Sequence, residues 1–210
     1  MHWRASSVIR PSAGFIQPCL PSPAARPPRG PGWIFEIKHD GYRLMIRRSG
    51  ESVRIYTRRG ADWTPRFPRI VEGVRKLRVS SVLLDGEGVI FDDNGLAIFD
   101  KLHSKANDAD VVMFAFDVLE LDGEDCRAMR LLERKARLRK LLSRVKHGIH
   151  YTGHLDADGH AVFKHACKFR CEGIVAKRVD SRYQSGRTKT WLKVKNPQSP
   201  AALRIEEGTF

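Results

Sequence analysis

The chain has 210 residues, 41% hydrophobic and 30% charged, which suits one domain with a proper hydrophobic core. Its net charge of +14 and pI of about 10.1 imply a polyanionic partner, either nucleic acid or an acidic membrane surface. No apolar run approaches the roughly 18 residues of a membrane helix, and the start does not resemble a secretory signal. Cys19, Cys126, Cys167 and Cys171 make no CxxC pair and no zinc spacing with the histidines, so they read as inert thiols of a reduced intracellular protein.

The first 35 residues hold no acid, four arginines and seven of the eleven prolines. Residues 1–30 therefore read as an extended Pro/Arg-rich arm, and 31–210 as one domain. The same prolines argue against the amphipathic helix of a transit peptide. From Trp33 onward the pattern is β. Trp33, Phe35 and Ile37 alternate with Ile34, Glu36 and Lys38, which puts Glu36 and Lys38 on one face. Asp40-Gly41 reads as a hairpin turn, Tyr42 to Arg48 as the return strand, Ser49-Gly50 as a second turn and Val53 to Thr57 as a third strand. Thr64-Pro65 marks a helix start with Ile70, Val74 and Leu77 as its buried stripe. The stretch 82–99 is expected to be a hairpin about Asn94-Gly95. "VVMFAFDVL" (111–119) is expected to be a buried strand ending at Asp122-Gly123.

Two helices follow. Over 127–146, Leu131, Leu138, Leu142 and Val145 form a stripe, and the other faces carry nine Lys/Arg against one Glu. Over 159–170 the stripe is Phe163, Ala166 and Cys167. The chain then returns to β at 173–179 and 191–195, with Trp191, Lys193 and Lys195 on one face. Adjacent hairpins with few helices predict an α+β fold built on antiparallel sheets.

Neither GxxxxGK[ST] nor GxGxxG is present, so a bound nucleotide would have to be held by side chains on strands. Lysines, carboxylates and arginines do interrupt the apolar strands: Glu36, Lys38, Asp40, Arg43, Arg58, Asp85, Glu87, Asp117, Glu172, Lys177, Lys193 and Lys195. A lysine that attacks phosphorus must first lose its proton, and an unperturbed one is neutral only about one time in a thousand near pH 7.4. Nearby cations and a metal lower that barrier. Carboxylates such as Glu87 and Glu172 suit Mg²⁺, and an aromatic such as Phe116 can stack on a purine. Each feature alone has a plainer explanation. A lysine by a turn is ordinarily solvated, Phe116 in an apolar run is ordinarily core, and two lysines flanking a valine ordinarily mark an edge strand.

Taken in order, the segments resemble the motifs of the covalent nucleotidyltransferases. "KHDGYR" (38–43) is similar to motif I, KxDGxR, and "TRRG" (57–60) to the arginine motif after it. "LDGEGV" (84–89), "AFDVL" (115–119), "EGIVAK" (172–177) and "WLKVK" (191–195) are similar to those that follow. Wider similarity from about residue 14 to the end points to the ATP-dependent DNA ligase family, in the branch of the bacterial end-joining ligase. The resemblance implies an adenylation domain with ATP and Mg²⁺ as cofactors. Lys38 would attack the α-phosphate and carry lysyl-AMP. Arg43 and Glu87 would contact ribose, Arg58 a phosphate, and Phe116 adenine, with Glu36 and His39 lining the adenine pocket. Glu87 and Glu172 would support the metal. Lys193 and Lys195 would hold the α-phosphate, and Lys177 would also contact the nucleotide.

Arg59 stands where relatives often carry a small or amide residue, which adds charge near a phosphate site. Only fifteen residues follow Lys195, so the OB-fold domain that continues such ligases is not expected here. No cysteine-rich zinc segment is present either, which favours ATP over NAD as donor. The expected activity is sealing of nicked double-stranded DNA in repair or recombination, in a bacterial cytoplasm at the nucleoid, with a separate OB-fold or end-joining repair protein as a candidate partner. The alternatives are an RNA ligase or other nucleotidyltransferase, and a non-catalytic DNA-binding remnant or half of a split ligase. A remnant should show decay at the lysine or the carboxylates, and none is seen.

Overall fold

Alternating side chains on ten strands build two sheets that share an apolar layer. The computed structural model describes residues 14–92, 97–145 and 147–206. The first sheet has the order β1 (Cys19–Pro23), β10 (Gly186–Lys195), β9 (Gly173–Arg178), β2 (Trp33–Lys38). The second runs β4 (Ser52–Thr57), β3 (Tyr42–Ser49), β5 (Ser81–Val89), β6 (Val112–Leu121), β7 (Glu124–Asp125), with β8 (Ile149–Tyr151) pairing β6. Pairings are antiparallel except β1 with β10 and β6 with β8. Five helices complete the described fold: α1 (Pro68–Arg75), α2 (Phe99–His103), α3 (Leu131–Leu142), α4 (Gly159–Lys168) and α5 (Pro200–Glu206).

Period two sorts the strands cleanly. On β3, Leu44 and Ile46 join the main core under α1 and α3, while Met45 points into the layer between the sheets. On β5, Val82 and Leu84 go one way and Leu83 the other, and on β6 Met113 and Ala115 oppose Phe116. In the first sheet, Phe35, Ile174, Ala176 and Val194 pack under α4, leaving Ile34 and Trp191 for the inter-sheet layer. The same parity directs Glu36, Lys38, Lys177, Lys193 and Lys195 from one sheet, and Arg43, Asp85 and Glu87 from the other, toward the cleft between them.

Ile70, Val74 and Leu77 are buried as expected, although Thr64-Pro65 opens a short 3-10 turn and α1 itself begins at Pro68. Three other readings need correction. Asp40-Gly41 is a corner and not a hairpin, because β2 and β3 lie in different sheets. A Cβ on Gly41 would sit 2.3 Å from the Gly88 carbonyl oxygen, so only glycine lets the chain cross so close to β5. The proline-rich arm is docked in its second half. Cys19–Pro23 pairs with β10 as an edge strand, where missing proline N–H groups are tolerated, and Cys19 is buried. Residues 1–13 lie outside the described part, as does the expected Asn94-Gly95 turn; Phe91 and Ala97 form an antiparallel bridge and the Ile98 N–H donates to the Ile90 carbonyl at 2.8 Å, while β5 itself pairs with β3 and β6. Finally, the helix of 127–146 spans only Leu131–Leu142, and its basic face is not all solvated, since Arg134 and Lys135 are buried.

Candidate active site

Lys38 ends β2 opposite Gly173 on β9, and its ammonium forms an ion pair with Glu172 Oε2. The other Glu172 oxygen lies 3.5 Å from Lys195 Nζ. Two ammonium groups from different strands thus converge on one nearly buried carboxylate. Gly173 makes this convergence possible. Its φ is +146°, and a Cβ there would meet the Val194 carbonyl oxygen at 2.1 Å. Lys193, on the same face as Lys195, has its ammonium pushed below the ordinary lysine range by burial and by the surrounding cations Lys195, Lys38, Arg187 and Arg58. The cations outnumber the one carboxylate, Glu172, that Lys38 and Lys195 share, and such a surplus suits phosphate oxygens.

Glu36, two residues before Lys38, is buried between two lysines. Its Oε1 accepts from Lys135 Nζ at 2.6 Å, and its Oε2 lies 2.6 Å from Lys177 Nζ. Burial opposes ionisation of Glu36, but Lys177 and Lys135 together outweigh it and hold the carboxyl below the ordinary range. Two ammonium groups share this one carboxylate, and burial pulls the Lys177 ammonium down. Lys177 Nζ makes no well-directed hydrogen bond, and it lies 4.3 Å from the Phe116 ring centre and 3.9 Å from that of Trp191.

Across the cleft, Arg43 grips Asp85 bidentately, Nε to Oδ1 at 2.6 Å and Nη2 to Oδ2 at 2.8 Å. Nη2 also donates to the Cys19 carbonyl at 3.1 Å, and Tyr183 Oη, which donates to Asp85 Oδ2 at 2.5 Å, accepts from the Cys19 N–H. The arm is thereby fastened to the site. The Arg43 guanidinium lies 4.3 Å from the Phe116 ring centre. Phe116 is therefore both core and cavity wall, with Arg43 and Lys177 stacked on it. Beside Arg43 in register, Glu87 is pushed up to about 7, chiefly by burial, with Lys38 and Arg43 opposing and Glu172 and Asp85 reinforcing. His39 is held down to about 4, first by burial, and packs 4.8 Å from Phe114.

The structure brings Glu36, Lys38, His39, Arg43, Glu87, Phe116 and Lys177 around one cavity of about 70 Å³. Lys193, Lys195 and Glu172 stand beside Lys38, while Arg58 lies past the end of β4, exposed and within electrostatic reach of Lys193. For a divalent cation, Glu87 and Glu172 are the available carboxylates. Among the described residues no group of three or more metal-ligating side chains exists. Two carboxylates beside this cationic cluster would fit Mg²⁺ held jointly with substrate oxygens, not a protein-only cage. Sequence reasoning missed Lys135 and Arg134 because helical charges read as solvated. It also missed Arg187, whose signal was its place on β10 six residues before Lys193.

Residues 23–195 match the family model described as the ATP dependent DNA ligase domain. The multifunctional non-homologous end joining protein LigD of Pseudomonas aeruginosa is 37% identical over 189 residues, covering 88% of this chain and 22% of that protein. A DNA ligase of Thermococcus fumicolans is 33% identical over 177 residues, covering 77% of this chain and 32% of that protein. Among solved structures, a mycobacterial DNA ligase D complexed with ATP and MES superposes with a TM-score of 0.74 and 33% identity, covering 85% of this chain and 59% of that one. This chain thus spans between about a fifth and a third of the length of these two curated relatives.

Proposed function

Because this chain belongs to the ATP-dependent DNA ligase domain family, we propose that Lys38 carries AMP from ATP to the 5′-phosphate of nicked double-stranded DNA. The observation that supports this most is the convergence of Lys38 and Lys195 on Glu172 at the mouth of an aromatic and cationic cavity. In the first step Nζ of Lys38, having lost a proton, forms an N–P bond to the α-phosphorus. The bond from that phosphorus to the bridging oxygen breaks, and pyrophosphate leaves. In the second, a 5′-phosphate oxygen of the nick displaces the lysine. In the third, the 3′-hydroxyl attacks the activated phosphate and AMP departs.

Catalysis here is chiefly positioning and electrostatics. Lys193 and Lys195 neutralise the oxygens of the α-phosphate, with Arg58 reaching a further phosphate. Phe116 and Lys177 wall the adenine, Glu36 and His39 shape that pocket, and Arg43 and Glu87 face the ribose. Glu87 and Glu172 would hold Mg²⁺ jointly with substrate oxygens, and the ion would supply charge neutralisation there. The DNA substrate places the protein at the nucleoid.

The test is transfer of label. With ATP labelled on the α-phosphate, label should appear on the protein, move to the 5′ end of a nicked duplex, and be released as AMP on sealing. Protein that labels but passes nothing to nicked DNA, with or without a separate OB-fold protein, would leave lysine adenylylation standing and overturn the DNA part of the reading.

A further inference from the structure

At the far end of the second sheet, the C-terminal ends of α1 and α3 border a groove of about 890 Å³ that the proposed reaction does not use. Its floor is aliphatic: Leu77, Val79, Leu121 and Leu141 pack on the main core from below. Its rim is cationic. Arg78, Lys140 and Arg144 are exposed and have no carboxylate partner among the described residues, while Lys76 and Arg137 are paired with Glu72 and Glu124. Among the described residues no acidic side chain lines the groove, and its one ring is the imidazole of His147.

The groove is remote from Lys38. Glu87 pairs with Phe114 beside the active site, and Val82 pairs with Leu121 at the groove. That interval, five residues of β5 and seven of β6, corresponds to roughly 17–23 Å of strand. An occupant here leaves the cleft open.

We propose that this groove docks an acidic amphipathic helix of a partner protein, its aliphatic face on the floor and its carboxylates against the rim. Charge complementarity selects an anionic occupant. The aliphatic floor then separates a peptide from nucleic acid. A phosphate backbone offers nothing apolar to bury, and unpaired bases are held by successive aromatic platforms, where the described lining offers the single ring of His147. A helix with leucines at i, i+3, i+4 and i+7 and glutamates between satisfies both surfaces.

The test uses the full chain and a fluorescent helical peptide of about 16 residues, roughly 24 Å long, with leucines on one face and glutamates on the others. The control peptide has the same composition with the leucine spacing scrambled. The patterned peptide should bind at least about tenfold tighter than the control, and Arg78→Glu/Lys140→Glu/Arg144→Glu should abolish that preference. Self-adenylation should be unchanged in the triple variant, which also reports that it folds. A second variant, Leu141→Ser, should weaken the patterned peptide and not the scrambled one. Equal binding of the two peptides would overturn the proposal. So would a triple variant that loses nicked-duplex affinity while the patterned peptide never competes with DNA, since the groove would then be a nucleic-acid surface.

Discussion

Lys135 Nζ lies 2.6 Å from Glu36 Oε1, joining the middle of α3 to β2 across a fully buried contact. Lys177 holds the other oxygen. This triad carries one more positive than negative charge, so its members are not equivalent. Glu36→Gln leaves the buried Lys177 ammonium without its carboxylate and Lys135 with the Thr152 carbonyl alone, and should destabilise by about 3–5 kcal/mol. Lys135→Met leaves a balanced pair and should cost less, about 1–3 kcal/mol. Urea unfolding of the two variants checks the order, and an equal or reversed ranking would contradict this account of the triad.

Gly173 supplies a second prediction. Its positive φ and its closeness to the Val194 carbonyl mean that Gly173→Ala must move β9 away from β10. The expected loss is about 1–3 kcal/mol, and self-adenylation should fall more than stability alone explains, because Glu172 and Lys38 flank this position. Thermal melts and label incorporation below the melting range separate the two effects.

The pH dependence of stability should carry two opposed signatures. His39 is held near 4 when folded, below its ordinary value of 6.5, so the unfolded chain binds more protons between these values and stability drops as pH falls through that window. His39→Phe should flatten that limb. Glu87 is raised from 4.5 to about 7, so the folded chain binds more protons between those values, and stability drops as pH rises through that window. Glu87→Gln should therefore melt higher than the parent at pH 8, with the gap closing near pH 5, while adenylation falls. Melting curves from pH 4 to 8 test both.

Under the proposed function the cations around Lys193, among them Arg187 and Arg58, would also face the phosphates of the nicked duplex, and binding should weaken steeply with salt. Lys193→Ala or Arg187→Ala should each lower the slope of log affinity against log salt by about one. Unchanged slopes in both variants would remove these residues from the DNA contact.

The strands were legible because period two was strong. Glu36 and Lys38 share a face opposite Phe35 and Ile37, and the same rule carries Trp191, Lys193 and Lys195 into the cleft. The order of short motifs picked out both Lys38 and Glu172, although it assigned Glu172 to a metal and not to the ion pair that the two form. Three things were not. The Asp40-Gly41 corner has the residues of a hairpin turn, and only the nearness of Gly88 from a distant strand shows that the chain changes sheets. The strand Cys19–Pro23 hides in a proline-rich stretch, since an edge position excuses the missing donors. Arg134 and Lys135 belong to a helix whose charges looked solvated, and their burial depends on Asp117 and Glu36, 17 and 99 positions away. Partners that far apart leave no local signal.

The most direct test of the central claim is intact mass after incubation with ATP and Mg²⁺, with Lys38→Ala alongside. The account predicts a gain of one AMP in the parent, reversed by pyrophosphate, and none in the variant. A parent cleared of any pre-bound AMP that gains no mass, or a variant that gains as much, would contradict the assignment of Lys38 as the nucleophile.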